Sequence, residues 1–158
     1  MLYFAYGSNM DWQQMKERCP SARFVGVAVM RDHKLGFTRE STRRGCGVAD
    51  AVAEDGRSLW GVVYEITDLD LGRLDISEGY MPGRNKNSYW RREQIVYASH
   101  PLNYPITVVT YFAEREDNPP MPNETYKNQI LEGARYWHLP AEYIAELENI
   151  EVARCPLL

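Results

Sequence analysis

Two stretches of this chain hold residue types suited to chemistry. The first is Leu74-Asp75-Ile76-Ser77-Glu78-Gly79-Tyr80, in which Glu78 ends a short helical pattern. A helix C-terminus carries negative partial charge, and semi-burial against Leu74 and Tyr80 would add a desolvation penalty. Both effects disfavour the ionised carboxylate and move its proton affinity into the range useful for proton transfer. A surface glutamate that simply ends a helix is the plainer alternative, and Asp75, about a turn earlier, competes for the same role. The second stretch is Leu2-Tyr3-Phe4-Ala5-Tyr6-Gly7-Ser8-Asn9-Met10, an aromatic strand that passes straight into small polar residues. Such a turn exposes several backbone N–H groups at one point and suits an anion, although ordinary turns share its composition. Tyr126 opens a later helix, where it either joins Ile130 and Ala134 on a core-facing stripe or reaches a pocket rim.

Ser8 invites a rival reading as a hydrolytic nucleophile. It would need His33, His100 or His138 within hydrogen-bond reach, and those histidines sit in separate segments. The Gly-x-Ser-x-Gly elbow is absent, because Ser8 follows Gly7 directly. No Walker A or Gly-x-Gly-x-x-Gly phosphate loop occurs. Cys19, Cys46 and Cys155 are scattered, without a Cys-x-x-Cys pair, which argues against a disulfide framework or a thiolate metal site and for reduced, cytoplasmic thiols.

These residues need a frame. Strands are expected over 2–6, 23–30, 33–38, 47–53, 59–66, 89–98 and 106–113, with Leu59–Ile66 the clearest buried one. The first joint falls at Arg31-Asp32, and Asp55-Gly56 within Glu54–Arg57 signals a hairpin turn. Helices are expected over 11–18, from a Thr67 N-cap to a Gly79 stop, from an Asn123 cap to about Trp137, and from Pro140 to about Ile150. Tyr80–Ser88 reads as a loop able to form a lid or pocket wall. Arg39–Gly47 reads as another loop, in which Arg39–Arg44 is either solvated or a weak candidate for meeting an anionic substrate. Strands joined by short turns favour an α+β fold with a mostly antiparallel, barrel-like sheet of six or seven strands over a doubly wound one.

Length and composition agree. The chain has 158 residues, 44% hydrophobic and 25% charged, enough for one domain (1–150) with a C-terminal tail (151–158). Net charge is −4, without the basic face that phosphate neutralisation requires, so nucleic acid is not an expected partner. No segment is apolar and long enough to span a bilayer, and residues 1–10 lack the features of a signal peptide.

Three segments, in order, resemble the gamma-glutamylcyclotransferase family. They are Tyr3-Phe4-Ala5-Tyr6-Gly7-Ser8-Asn9-Met10, Leu74-Asp75-x-x-Glu78-Gly79, and Tyr126 through Tyr143 with Ile130, Gly133-Ala134 and Leu139-Pro140. His138 departs from the family pattern, which carries Gly before Leu-Pro in many members, and this bears on how the helix ends. The resemblance implies a small closed β-barrel with peripheral α-helices, and conversion of a gamma-glutamyl amide to 5-oxoproline with release of the amine. It implies Glu78 as acid and base. It assigns substrate contacts to Tyr3, Phe4, Ala5, Tyr6, Gly7, Ser8, Asn9 and Tyr126. A small gamma-glutamyl molecule is the expected partner of a monomer or homodimer, with no metal or organic cofactor. The Met81–Ser88 loop would govern access. A larger gamma-glutamyl conjugate as substrate, or a binding module without turnover, are the alternatives.

Overall fold

The structure, a computed structural model, describes residues 1–100 and 103–154. Five strands form a closed barrel: β1 (Leu2–Ala5), β2 (Arg23–Ser41), β3 (Cys46–Glu65), β4 (Tyr89–Ala98) and β5 (Tyr104–Ala113). Their order around the barrel is β1-β3-β2-β4-β5. All neighbours are antiparallel except β1 and β5, whose parallel pairing at Tyr3 and Val109 closes the wall. Closure removes exposed sheet edges. Four helices surround it: α1 (Trp12–Arg18), α2 (Asp68–Ser77), α3 (Glu124–Tyr136) and α4 (Ala141–Glu148). None is long and apolar enough to cross a membrane. Cys155 and the end of the expected 151–158 tail lie outside the described residues. Of the rest of that tail, Ala153 donates its N–H to the Pro122 carbonyl.

The strand count is five because two expected pairs are single strands. Residues 23–30 and 33–38 join in β2, and 47–53 and 59–66 join in β3. The two turn signals are real, but they face each other across the ladder. Asp32 and Gly56 both take positive φ (57° and 79°), and Asp32 Oδ1 accepts the Gly56 N–H at 2.9 Å. Pairing jumps there from Arg31–Ser58 to His33–Ala53, so the chain forms a bulge and bends without reversing. The expected Arg39–Gly47 loop is likewise shorter. Pairing runs to Ser41–Cys46 and leaves a four-residue turn, with the Gly45 N–H on the Ser41 carbonyl at 2.7 Å.

The helix starts follow the sequence. Thr67 accepts from the Asp70 N–H and Asn123 from the Tyr126 N–H, each satisfying an otherwise orphan donor. Leu59, Val62, Val63 and Tyr64 are buried, as the Leu59–Ile66 run predicts. Phe4, Met10 and Ile130 extend this core toward β1 and α3. Helix α3 approaches closely at Gly133, where any Cβ would lie 2.6–2.8 Å from Met10 and Asp11 backbone and side-chain atoms. That closeness clamps the turn that follows β1.

Candidate active site

Beyond β1, Ser8–Met10 forms one turn of 3-10 helix, with the Met10 N–H on the Gly7 carbonyl and the Asp11 N–H on the Ser8 carbonyl. The first N–H groups of such a turn, those of Ser8 and Asn9, have no partner within it. The turn is held from outside. Tyr64 donates its hydroxyl to the Asn9 carbonyl at 2.8 Å, and Trp137 donates its ring N–H to the Met10 carbonyl at 2.9 Å. The Asn9 side chain is buried and fully engaged. Its Nδ2 donates to Tyr3 Oη at 3.0 Å and to Glu78 Oε1 at 3.1 Å, while Oδ1 accepts from Gln14 and Arg18, both at 3.0 Å.

Glu78 reaches Asn9 because α2 ends in a Schellman motif. The Tyr80 N–H bonds the Asp75 carbonyl at 2.8 Å and the Gly79 N–H bonds the Ile76 carbonyl at 3.1 Å. Gly79 supplies the required left-handed conformation, φ 66°. Glu78 is thereby placed facing the N-terminal turn, its side chain 16% exposed, with Arg18 Nη1 at 3.6 Å from Oε1. Burial raises its pKa above the ordinary carboxylate value, and the nearby Asp75 charge adds to this. Arg18, the Asn9 hydrogen bond and Arg44 act in the opposite direction. Asp75 is differently placed. One oxygen accepts from Tyr111 Oη at 2.6 Å and the other from Arg91 at 2.5 Å, so both are committed to structure.

Two cavities share lining residues here. A deep one of about 40 Å³ is bordered by Tyr3, Tyr6, Gly7, Asn9 and Tyr111. An outer cleft of about 320 Å³ opens beyond it toward the Arg39–Arg44 segment and Ser88. Ser8, Glu78, Tyr89 and Tyr126 line both. Tyr126 Oη accepts the Ala49 N–H at 3.0 Å, and Tyr89 donates its hydroxyl to the Ala49 carbonyl at 2.6 Å. Burial pushes the Tyr126 phenol up to about 12, so it is a neutral hydroxyl at physiological pH. Tyr6 donates its hydroxyl to the Tyr111 carbonyl.

Of the sequence-predicted residues, Tyr3, Tyr6, Gly7, Ser8, Asn9, Glu78 and Tyr126 are brought together. Phe4 and Ala5 lie in the core, 0% and 1% exposed, and line neither cavity, so no side-chain contact with a ligand is available to them. The hydrolase reading of Ser8 finds no histidine base beside it. Its Oγ accepts from Gln14 at 2.8 Å and Arg44 at 3.2 Å. His33, His100 and His138 line neither cavity. The loop after α2 contributes Ser88 to the outer cleft, and the Met81 N–H on Asn87 Oδ1 at 2.9 Å holds that loop together. Sequence reasoning missed Gln14, Arg18, Tyr89 and Tyr111. A usable signal existed for the first pair: Gln14 and Arg18 lie four apart on α1, on one face, directly after the turn they grip.

Known proteins resemble this chain in sequence and fold. The AIG2-like family pattern matches residues 58–147. Gamma-glutamylcyclotransferase of Bos taurus is 35% identical over 95% of this chain and 78% of its own length. The Homo sapiens protein of the same name is 34% identical with the same coverage. A solved gamma-glutamyl cyclotransferase superposes with a TM-score of 0.89 at 31% identity, over 100% of this chain and 92% of that one. With identity of this order along nearly the whole sequence and a matching barrel, the chain belongs to the gamma-glutamylcyclotransferase family.

Proposed function

We propose that the protein converts small gamma-glutamyl amides to 5-oxoproline and releases the amine, with Glu78 carrying the proton. The substrate's own α-nitrogen is the nucleophile. As an ammonium it has no lone pair, so Glu78 first removes a proton. The nitrogen then attacks the γ-carbonyl carbon, and a C–N bond closes the five-membered ring. Glu78 returns its proton to the amide nitrogen, the original C–N bond breaks, and the amine departs; Glu78 also takes the second proton that the ring nitrogen sheds and passes it to the amine, which leaves as an ammonium. No other atom enters or leaves, and no cofactor takes part.

The observation that carries this reading is the position of Glu78 Oε1. Glu78 lines both the deep and the outer cavity, and its Oε1 is held by Asn9 and flanked by Arg18. The glutamyl half occupies the deep cavity, with the Ser8 and Asn9 N–H groups toward its carboxylate or its developing oxyanion. Tyr126 lines both cavities as a substrate contact. Positioned acid–base catalysis contributes roughly 10²–10⁴-fold, and holding the ring-closing conformer adds several kcal/mol more. The free, buried thiols of Cys19 and Cys46 support a cytoplasmic setting. Incubating the protein with a panel of gamma-glutamyl amino acids, amines and larger conjugates, followed by mass spectrometry, tests the reading. Formation of 5-oxoproline from the small compounds is expected. Binding without product, or product only from a large conjugate, would contradict it.

A further inference from the structure

We infer that the arginine-bearing rim of the outer cleft is a subsite for an anionic released half, favoured most when that half carries two carboxylates. The inference rests on the cyclisation reading, which assigns the glutamyl half to the deep cavity. The leaving amine's substituents then extend outward past Glu78.

That outer wall is positively charged on an acidic protein. The chain as a whole carries a net charge of −4. Yet Arg18, Arg39, Arg43 and Arg44 line the cleft against Glu40 and Glu78, a surplus of two positive charges. Three of the four guanidiniums have protein partners. Arg18 is bound to Asn9, and Arg44 to Ser8, Gln14 and Gln129. Arg39 donates to the Glu114 carbonyl and lies 3.9 Å from a Glu116 carboxylate oxygen. Arg43 has no hydrogen-bond or ion-pair partner among the described residues, so its donors remain available to a ligand.

The segment is also built to hold its shape. The Ser41–Cys46 pair closes the turn, and the Arg44 N–H bonds Ser41 Oγ at 3.2 Å. Asn123 Nδ2 donates to the Arg44 carbonyl at 3.2 Å, and the Arg44 guanidinium sits 4.7 Å from the centre of the Tyr126 ring. A solvated charge run has no need of such anchoring. The turn that carries Arg43 is thereby fixed at the cleft, and its free guanidinium can bind carboxylate through charge-assisted hydrogen bonds.

The test compares three compounds that differ only beyond the scissile nitrogen: gamma-glutamylethylamide, gamma-glutamylalanine and gamma-glutamylglutamate. Their affinities are measured by calorimetry on Glu78→Gln protein, in which turnover does not interfere, and 5-oxoproline is followed with the unaltered protein. The expected affinity order is glutamate above alanine above ethylamide. The span from first to last should be on the order of tenfold or more, shrinking in about 0.5 M salt. Adding Arg43→Gln should narrow the span by roughly tenfold, and Arg43→Lys should restore part of it. Equal affinities for the three, or a span that Arg43→Gln leaves intact, would overturn the inference. Absence of 5-oxoproline from all three would overturn the cyclisation reading instead, while the affinity order still decides the rim.

Discussion

Glu78 is subject to two opposing influences, and the balance between them sets the pH at which it can accept a proton. Burial holds the proton on; Arg18, 3.6 Å away, favours its release. Arg18 is therefore a positioning residue, acting through Glu78 and through Asn9, which it also binds. Arg18→Gln should shift the acid limb of the kcat/KM profile to higher pH, because the raised proton affinity loses its main counterweight. Arg18→Lys should return part of the way. A merely structural loss would lower activity at every pH without moving the limb. At this scale the local sequence left Glu78 open between a surface residue and a buried acid, and the family resemblance singled it out. Arg18 was not legible: it meets Glu78 across 60 residues of sequence, and nothing local marks a partner so distant.

At the scale of elements, two helix ends use the same backbone device with different residues. Helix α2 closes on Gly79 and α3 closes on His138, each in the left-handed conformation (φ 66° and 57°). In α3 the Leu139 N–H bonds the Ala134 carbonyl and the His138 N–H the Arg135 carbonyl, the same Schellman pattern. A side chain in that conformation costs about 1 kcal/mol. His138→Gly should therefore stabilise the protein and raise Tm by roughly 2–4 °C in calorimetry. Gly79→Ala should lower Tm by at least as much, since its Cβ would also meet Ser88 at 3.0 Å. It should reduce activity as well, because that helix end aims Glu78. The caps at Thr67 and Asn123 and the Leu59–Ile66 strand could be read from the sequence, their causes being local. The bulge at Asp32 and Gly56 could not. A left-handed Asp-Gly signal looks alike in a hairpin and in a bent strand, and only the pairing of β2 with β3 distinguishes them.

At the scale of the whole molecule, a buried Glu78 should lower the barrel's stability at neutral and higher pH. Glu78 has a higher pKa folded than unfolded, so at neutral pH the unfolded chain ionises more readily, and stability is lost as pH rises through the folded value. Below the unfolded value, about pH 4, both states are protonated and the loss disappears. Glutamine cannot ionise. Glu78→Gln should thus have a higher Tm than the unaltered protein at pH 8, with the difference vanishing toward pH 4. A difference of opposite sign at pH 8 would show that Arg18 stabilises the carboxylate more than burial destabilises it. A mostly antiparallel, barrel-like sheet was legible from strands joined by short turns, and its closure from the family resemblance. The deep cavity was not, because tyrosines from β1, β4, β5 and α3 converge there only after the barrel closes.

The same variant tests the central claim most directly through chemistry. Glutamine keeps the shape of Glu78 and cannot accept the substrate's proton. With folding verified by circular dichroism, 5-oxoproline release from gamma-glutamylalanine should fall by at least roughly 100-fold in Glu78→Gln. Release at a rate within about threefold of the unaltered protein, well inside the range a proton-carrying residue commands, would mean that another group moves the proton.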